Sequence, residues 1–429
     1  MQHDRFIGPR QELHLGTYLT GTPCLLPADD LMTHAAVLGM TGSGKTGLLL
    51  GMTEELIQRQ IPVVLVDIKG DMINVARQSP LLDVMAVRCL TPGGSHGELV
   101  DVFADLNDRD KVTSAATALL KMVGEDHDPI KSNAHSYLCT ILEKRHDRGQ
   151  PCTIMSLIHA VQDPPFAHLG AMDLDFAFTK RSRTKLARAL NNLLVAPSFR
   201  LWREGVALAL DELLAPRADT KVPVIVYSVA HLVNQDEQNF AIQLLLDEVL
   251  PWMRRRGGST KLRAALIIDE CVGLMPPHPR NPPTKTPLLM LLKQARAFGL
   301  GVVLASQNPV DLDYKGMSNC ATWMVGRLQM GKDKARIVAN VCSASPVSHS
   351  DMEIKIGRLQ GRQFILARTS GSHIFDTRDV GCQLAGPQTP SDIETLYTSK
   401  SLSLGPQVDA VLAPVTNVHQ LFAADGSGD

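Results

Sequence analysis

The stretch that constrains this chain most is Gly-Met-Thr-Gly-Ser-Gly-Lys-Thr at positions 39–46. It fits G-x-x-x-x-G-K-[ST], a glycine-rich loop whose backbone N–H groups surround a polyphosphate. The apolar run 35–38 precedes the loop, and a helical pattern of leucines that begins at Leu48 follows it. Strand, glycine loop and helix form the context that the motif requires, so the chain is predicted to hold a nucleoside triphosphate.

Two side chains of this loop have chemical roles in such a site. Lys45 is predicted to reach the β- and γ-phosphates, and the Thr46 hydroxyl to ligate Mg²⁺. The alternative is a chance match in a glycine-rich turn, and the strand and helix patterns on either side argue against it. The predicted nucleotide-binding residues are Gly39, Met40, Thr41, Gly42, Ser43, Gly44, Lys45, Thr46 and Gly47.

The bulk properties of the 429 residues exclude several classes of protein. A formal net charge of -1 argues against binding nucleic acid through a generally basic surface, although a basic pore or loop is compatible with it. The eight cysteines form no C-x-x-C pair, which favours a reducing compartment over a zinc site or a disulfide framework. No apolar run approaches the ~20 residues that cross a bilayer, so we expect a cytoplasmic protein without membrane contact.

Apolar runs that alternate with helical patterns indicate the fold class. The runs 61–67, 222–228, 263–269 and 301–306 are typical of parallel strands covered on both faces. They predict an α/β fold with a doubly wound, mostly parallel sheet. Between about 105 and 210 the apolar residues recur at helical spacing and β-branched runs disappear, which indicates an α-helical insertion.

These patterns divide the chain into four parts. The predicted division is a short N-terminal β element at 1–32, an ATPase core at 33–104 and 211–385, the helical insertion at 105–210, and a C-terminal tail at 386–429. The insertion carries a basic run at 180–185. Such a run is usually a solvated helix face, and a contact with DNA or a partner is the alternative.

Hydrolysis of a bound nucleotide requires a second, acidic centre. The apolar strand 264–268 ends in Asp269 and Glu270, at the strand end where an α/β sheet binds ligands. Asp269 is predicted to hold Mg²⁺ with its water shell, and Glu270 to act as general base on the attacking water. A pair of acids that caps the next helix is the alternative, and the presence of the phosphate loop favours the hydrolytic interpretation.

Two further polar residues are candidates for the site. Gln307 follows the buried strand 300–306 and is predicted to act as a sensor of the γ-phosphate or of the attacking water, whereas its alternative is an amide that caps a turn. Arg296 ends the preceding helical segment. Its position alone suits a surface arginine at a helix C-terminus, although arginine fingers from a neighbouring subunit also stabilise transition-state charge.

With these residues in place, the chain resembles the HerA/FtsK superfamily of P-loop ATPases, and bacterial HerA-like proteins in particular. The resemblance spans residues 30–385 and is carried by an ordered set of segments, at 37–46, 66–71, 267–270, 294–299, 304–307 and 319–336. It implies a RecA-like motor that assembles as a homo-oligomeric, hexameric ring and moves double-stranded DNA through its pore. ATP and Mg²⁺ are the implied cofactors.

The resemblance also implies residue roles. Lys45 and Thr46 match the Walker A pair, Asp269 and Glu270 match the Walker B pair, and Gln307 matches the sensor glutamine.

Arg296 matches the arginine finger that acts in the neighbouring subunit, and this match raises it above a surface arginine. Arg327 is a weaker candidate for a second interface arginine. Asp67 and Lys69 end the next strand and are expected behind the residues that touch the nucleotide.

The chain departs from the family pattern in two places. Gln307-Asn308-Pro309 stands where many translocases of this group carry Gln-Arg-Pro, so no second arginine contact is expected there. The segment 1–32 is also too short for the full N-terminal β-barrel with which HerA proteins dock a partner nuclease. Docking of a partner is therefore expected on another surface.

These observations predict an ATP-hydrolysing ring motor that translocates or unwinds double-stranded DNA and works with a nuclease or other effector. The alternative is an ATP-regulated scaffold of an anti-phage defence complex, which assembles a partner nuclease without processive translocation. A metabolic kinase is disfavoured because the chain offers no recognisable lid-like arginine cluster. The pair Asp269-Glu270 also suits activation of water better than phosphoryl transfer to a metabolite.

Overall fold

The computed structural model describes residues 12–101, 104–107, 109–203, 205–308, 312–328, 338 and 348–402. The strands are β1 (Glu12–Tyr18), β2 (Pro23–Pro27), β3 (Ala35–Leu38), β4 (Val63–Asp67), β5 (Met85–Leu90), β6 (His168–Leu169), β7 (Met172–Asp173), β8 (Val222–Ser228), β9 (Ala264–Ile268), β10 (Leu300–Ser306), β11 (Thr322–Val325), β12 (Gln363–Arg368) and β13 (Gly371–Thr377).

The α-helices are α1 (Lys45–Gln58), α2 (Val112–Met122), α3 (Asn133–Asp147), α4 (Ile154–Gln162), α5 (Leu174–Ala177), α6 (Lys180–Val195), α7 (Leu210–Leu213), α8 (Gln235–Arg255), α9 (Lys285–Gln294), α10 (Tyr314–Met317), α11 (His349–Arg358) and α12 (Pro390–Thr398). Short 3₁₀ helices include Ala28–Thr33 and Ala295–Phe298. Within the described part of the chain, no helix has the length and apolar character that crossing a membrane requires.

One eleven-stranded sheet organises the molecule, in the order β2-β1-β13-β12-β11-β3-β10-β9-β4-β8-β5. From β11 to β5 every pairing is parallel, and from β11 to β2 every pairing is antiparallel. The strand β3, which leads into the phosphate loop, lies between β11 and β10. The carboxyl ends of β3, β4, β9 and β10 therefore meet at one edge of the sheet, where parallel sheets bind ligands.

The parallel part of the sheet is buried on both faces. Along β4, Val64 and Val66 pack into one apolar core with helices α8 and α9, whereas Val63 and Leu65 pack into another with α1. Successive side chains of a strand point to opposite faces, so a strand covered on both sides reads as a continuous apolar run. The prediction of an α/β, doubly wound and mostly parallel sheet is confirmed.

The antiparallel part joins the two ends of the described chain. Strands β12 and β13 form a hairpin, and β13 also pairs with β1, with Thr17 opposite Asp376. The sequence patterns gave no indication of this long-range pairing, because each of these strands is short and its neighbour lies far away along the chain.

The helices of the insertion enclose an apolar core of their own. Tyr137, Leu157 and Leu190 are buried in it, on helices α3, α4 and α6. The basic run on α6 is divided by this packing, because Arg183 is buried and its guanidinium lies 2.7 Å from the Asp175 carboxylate. Arg181 is exposed, whereas Arg183 supports the fold, so only part of the run is a solvated surface.

The region predicted as a C-terminal tail contains an ordered element. Helix α12 packs against the core through Ile393 and Leu396. The Tyr397 hydroxyl lies 3.1 Å from the Cys89 carbonyl oxygen on the edge strand β5. The predicted boundary at 386 therefore falls before a packed helix, and residues 403–429 lie outside the described part of the chain.

Candidate nucleotide-hydrolysis site

The phosphate loop lies between β3 and α1, at the carboxyl edge of the sheet. Its backbone is anchored at the start, since the Met40 N–H donates a hydrogen bond of 2.9 Å to the Arg327 carbonyl oxygen. Gly44 has a φ of 98°, which a residue with a Cβ adopts only under strain. The glycine at this position thus lets the chain turn directly into the first residue of the helix.

Lys45 is buried and folded back onto its own loop. Its ammonium group donates hydrogen bonds to the carbonyl oxygens of Gly39 and Met40. Burial lowers the pKa of Lys45 to about 8, with a further lowering from the charge of Lys69. Thr46, the second residue of α1, is half-buried. A bound polyphosphate would give this buried ammonium group a negatively charged partner.

Asp269 and Glu270 directly follow β9 and lie at the same edge. The Ile68 N–H donates to Asp269 Oδ1 at 3.1 Å, whereas Asp269 Oδ2 is buried without a hydrogen-bond partner in the described structure. Burial, followed by the neighbouring carboxylate of Asp67, raises the pKa of Asp269 well above its usual range. A bound cation would favour the charged form of Asp269 and so oppose both effects.

The residues fit a Mg²⁺ ion, although they do not form a metal centre alone. No group of three or more His, Cys, Asp or Glu side chains that could hold a metal occurs among the described residues. Mg²⁺ commonly takes only one or two protein oxygen ligands and completes its shell with water and nucleotide phosphates. The unpartnered Asp269 Oδ2 and the Thr46 hydroxyl are the groups that would hold it.

A chain of polar contacts joins the candidate base to the phosphate loop. Gln307 Nε2 donates to Glu270 Oε2 at 2.9 Å, and the Thr41 hydroxyl donates to Gln307 Oε1. Lys69 Nζ lies 2.8 Å from the same Glu270 oxygen. The structure thus brings Gln307 and Glu270 together, and it places Lys69 in direct contact with the candidate base rather than behind it.

The family comparison agrees with this geometry. Residues 13–122, which contain the phosphate loop and β4, match the family model described as the central domain of the helicase HerA. This match covers about a quarter of the 429 residues, and it agrees with the resemblance to HerA-like P-loop ATPases that the sequence motifs carry. A comparison with curated proteins finds no match.

Several solved structures share the fold of this chain. VirB4 of Thermoanaerobacter pseudethanolicus superimposes with a TM-score of 0.61 at 14% identity, over 87% of this chain and 98% of that one. The plasmid coupling protein TrwB, in complex with ADP and Mg²⁺, gives a TM-score of 0.58 at 18% identity, over 88% and 91%. At these identities the likeness establishes the shared fold.

Arg296 lies far from the site of its own chain. It sits in the 3₁₀ helix that precedes β10, whereas Gln307 follows the other end of that strand. The seven residues of β10 separate the two positions by roughly 20 Å at ~3.3 Å per residue. The side chain of Arg296 is exposed at this amino edge of the sheet. It therefore cannot complete the candidate site of its own chain.

Arg327, unlike Arg296, lies close to the phosphate loop of its own chain. Its carbonyl oxygen accepts the Met40 N–H, and its side chain is exposed beside the phosphate loop of the same chain. This position adjoins its own site, whereas the sequence suggested an arginine that serves a neighbouring subunit. In the segment Gln307-Asn308-Pro309, Pro309 lies outside the described residues.

Sequence reasoning missed one residue that touches the phosphate loop. The Arg362 N–H donates to the Ser43 carbonyl oxygen at 3.0 Å. A Cβ on Gly44 would lie 3.3 Å from the Arg362 Cα, so the approach of the two backbones also favours glycine there. No local signal could have found Arg362, because it reaches the loop through the long-range placement of the β12–β13 hairpin.

Proposed function

We propose that this chain hydrolyses ATP with Mg²⁺ and, as a homohexameric ring, uses the free energy to move or unwind double-stranded DNA. The observation that carries the proposal is a division of the machinery between the two edges of the sheet. Glu270, Gln307 and the phosphate loop meet at the carboxyl edge, whereas Arg296 lies at the amino edge. A neighbouring subunit is needed to bring the two parts together.

Hydrolysis follows from the placement of the polar groups. Glu270 would accept a proton from water as the water oxygen bonds to the γ-phosphorus and the bond to the bridging β-phosphate oxygen breaks. Gln307, which contacts Glu270, would orient that water. Lys45 would bind the β- and γ-phosphates, and Mg²⁺ would supply charge neutralisation on the phosphates when it is bound.

The family resemblance and two solved structures of the same fold support the nucleotide and the metal. One TrwB structure contains ADP and Mg²⁺, and another contains the ATP analogue ADPNP. The buried ammonium group of Lys45 and the unpartnered oxygen of Asp269 match these two ligands in charge. ATP and Mg²⁺ are therefore the substrate and the ion that we propose for this chain.

The separation of Arg296 from its own site supports a ring. If the amino edge of one subunit packs on the carboxyl edge of the next, the contact is head-to-tail, and such contacts form a ring when the rotation between subunits closes. Each Arg296 would then reach the nucleotide of its neighbour and stabilise charge in the transition state. Six subunits and duplex DNA in the pore follow from the family resemblance.

The test combines sizing with an ATPase assay. We expect mass photometry with ATP and duplex DNA to detect a particle of six times the chain mass, and duplex DNA to stimulate phosphate release. Lys45→Ala should abolish turnover while leaving the fold intact. A ring that hydrolyses ATP without any response to DNA would contradict translocation, and would instead favour the scaffold that assembles a nuclease or other effector.

A further inference from the structure

Lys69 makes a contact that nucleotide binding alone does not require. Its ammonium nitrogen lies 2.8 Å from Glu270 Oε2, and Gln307 Nε2 donates to the same oxygen at 2.9 Å. The second oxygen, Glu270 Oε1, is buried without a hydrogen-bond partner in the described structure. Lys69 and Gln307 therefore hold the same carboxylate oxygen of the candidate base, and this ion pair restrains the position of Glu270.

The contact belongs to a line of side chains across the carboxyl edge of the sheet. Lys69 follows β4, Glu270 follows β9, Gln307 follows β10 and Thr41 lies in the loop after β3. These four strands are consecutive neighbours in the sheet. Thr41 in the phosphate loop is therefore linked to Lys69 through two intervening side chains, Gln307 and Glu270, so a group that binds at the loop can alter the pairing of Glu270.

Lys69 also has the freedom and the position to reach a phosphate. Its side chain is 32% exposed, whereas that of Glu270 is 8% exposed. Its charge acts on the neighbouring Lys45, which is predicted to hold the β- and γ-phosphates. Lysine carries its charge on a flexible four-carbon stem. The ammonium group of Lys69 can thus turn from Glu270 toward the terminal phosphate, which carries more negative charge than one carboxylate.

We propose that Lys69 distinguishes nucleoside triphosphate from diphosphate by exchanging Glu270 for the γ-phosphate. Without a γ-phosphate, Lys69 pairs with Glu270 and restrains the base. With a triphosphate, Lys69 binds a γ-phosphate oxygen and Glu270 becomes free to accept the proton of the attacking water. The inference rests on the proposed ATPase function, and it adds a residue that couples nucleotide state to the base.

The first test compares two nucleotides by calorimetry on the full chain. Lys69→Met should lower the affinity for a non-hydrolysable ATP analogue by about tenfold, the scale of one charge-assisted hydrogen bond. The affinity for ADP should stay within about twofold of wild type, since ADP has no γ-phosphate. Lys69→Arg should retain most of the triphosphate affinity. The control Lys293→Met, at the opposite edge of the sheet, should leave the affinity for both nucleotides unchanged.

The second test removes the competitor. Glu270→Gln should raise the affinity for the triphosphate analogue in the wild-type background, because Lys69 no longer has a carboxylate partner. The same substitution should have no such effect when combined with Lys69→Met. This double-mutant cycle measures the exchange directly, which a merely structural role of Lys69 would not reproduce.

The outcomes separate the inference from the proposed function. If Lys69→Met loses affinity for ADP and for the analogue equally, or loses affinity for neither, the inference is overturned, while ATP binding by the wild type stands. Additive effects in the double-mutant cycle would also overturn it. A wild-type chain that binds neither nucleotide would overturn the proposed function and this inference with it.

Discussion

The two edges of the parallel sheet differ in how they treat charge. At the carboxyl edge, Lys45, Asp269 and Glu270 are buried, and Asp269 and Glu270 each keep one oxygen without a hydrogen-bond partner. At the amino edge, Arg296 and Lys293 are exposed. Buried charge is costly unless it is paired, and such perturbed groups cluster at functional sites.

The difference supports the proposal that the carboxyl edge carries the chemistry and the amino edge makes the contact with a neighbouring subunit. The carboxyl edge holds buried charged groups, and a bound nucleotide and metal ion would provide partners of opposite charge for them. The amino edge presents an arginine that is free to move in solvent. An exposed guanidinium can serve a second subunit, because it need not break a buried ion pair to reach it.

Removing the exposed Arg296 has the largest expected effect and tests whether the amino edge takes part in hydrolysis. Arg296→Ala should lower ATP turnover by about 10³-fold, the lower end of the range for arginine fingers, while ADP binding by separate subunits is retained. Phosphate release and calorimetry measure the two quantities. Lys293→Ala is the matched control at the same edge. Turnover of Arg296→Ala at the wild-type rate would remove the amino edge from the mechanism.

Mixed rings sharpen the same point. A ring made from Arg296→Ala and Glu270→Gln subunits contains interfaces that combine an intact Glu270 with an intact Arg296 from the neighbour. Such a mixture should regain part of the turnover that each variant lacks alone. If Arg296 acted within its own chain, no subunit in the mixture would carry both groups and no activity would return.

At the carboxyl edge, Glu270→Gln should lower turnover by about 10²-fold or more, since the amide cannot accept the proton of the attacking water. The nucleotide should still bind. Single-turnover phosphate release measures the effect, with Glu353→Gln on the exposed surface of α11 as the control. Unchanged turnover in Glu270→Gln would place the base elsewhere.

The buried ammonium group predicts a smaller, pH-dependent effect. The pKa of Lys45 is about 8 in the nucleotide-free chain, and bound phosphates would raise it. Affinity for the ATP analogue should therefore be full below pH 8 and fall by up to about tenfold per pH unit above it. Lys45→Arg, which stays charged, should lose this dependence. A flat wild-type profile between pH 8 and 9 would contradict the assignment.

At the amino edge, a buried histidine is expected to make the free energy of unfolding depend on pH without affecting nucleotide binding. His34 is buried before β3, and its Nδ1 accepts the Val302 N–H at 3.2 Å. Burial lowers its pKa to about 4 from an ordinary value near 6.5. The unfolded chain binds the proton more readily, so the His34 contribution is present above pH 6.5 and is lost as the pH falls toward 4.

We expect this loss to be about 1 kcal/mol between pH 6.5 and 5.5. Chemical denaturation at the two pH values measures it, with His34→Asn as the comparison that lacks the titrating ring. Nucleotide affinity per folded molecule should stay constant over the same interval. Equal slopes in wild type and variant would show that His34 does not titrate as its burial requires.

The sequence by itself determined the parallel sheet and the identity of the polar residues at its carboxyl edge. The run 61–67, for example, predicts a strand covered on both faces, because such a strand has no solvent face to carry polar residues. Asp269, Glu270 and Gln307 could be named because each directly follows a predicted strand. Parallel strands bring their carboxyl ends to one edge, so local patterns were enough to collect these residues.

Only the tertiary structure decided which groups touch. The pairing of Lys69 with Glu270 depends on β4 and β9 being neighbours, which nothing in either strand specifies. The approach of Arg362 to the phosphate loop and the distance of Arg296 from it depend likewise on where whole elements pack. Local sequence sets the period and the ends of an element, whereas its neighbours are chosen by burial summed over the whole core.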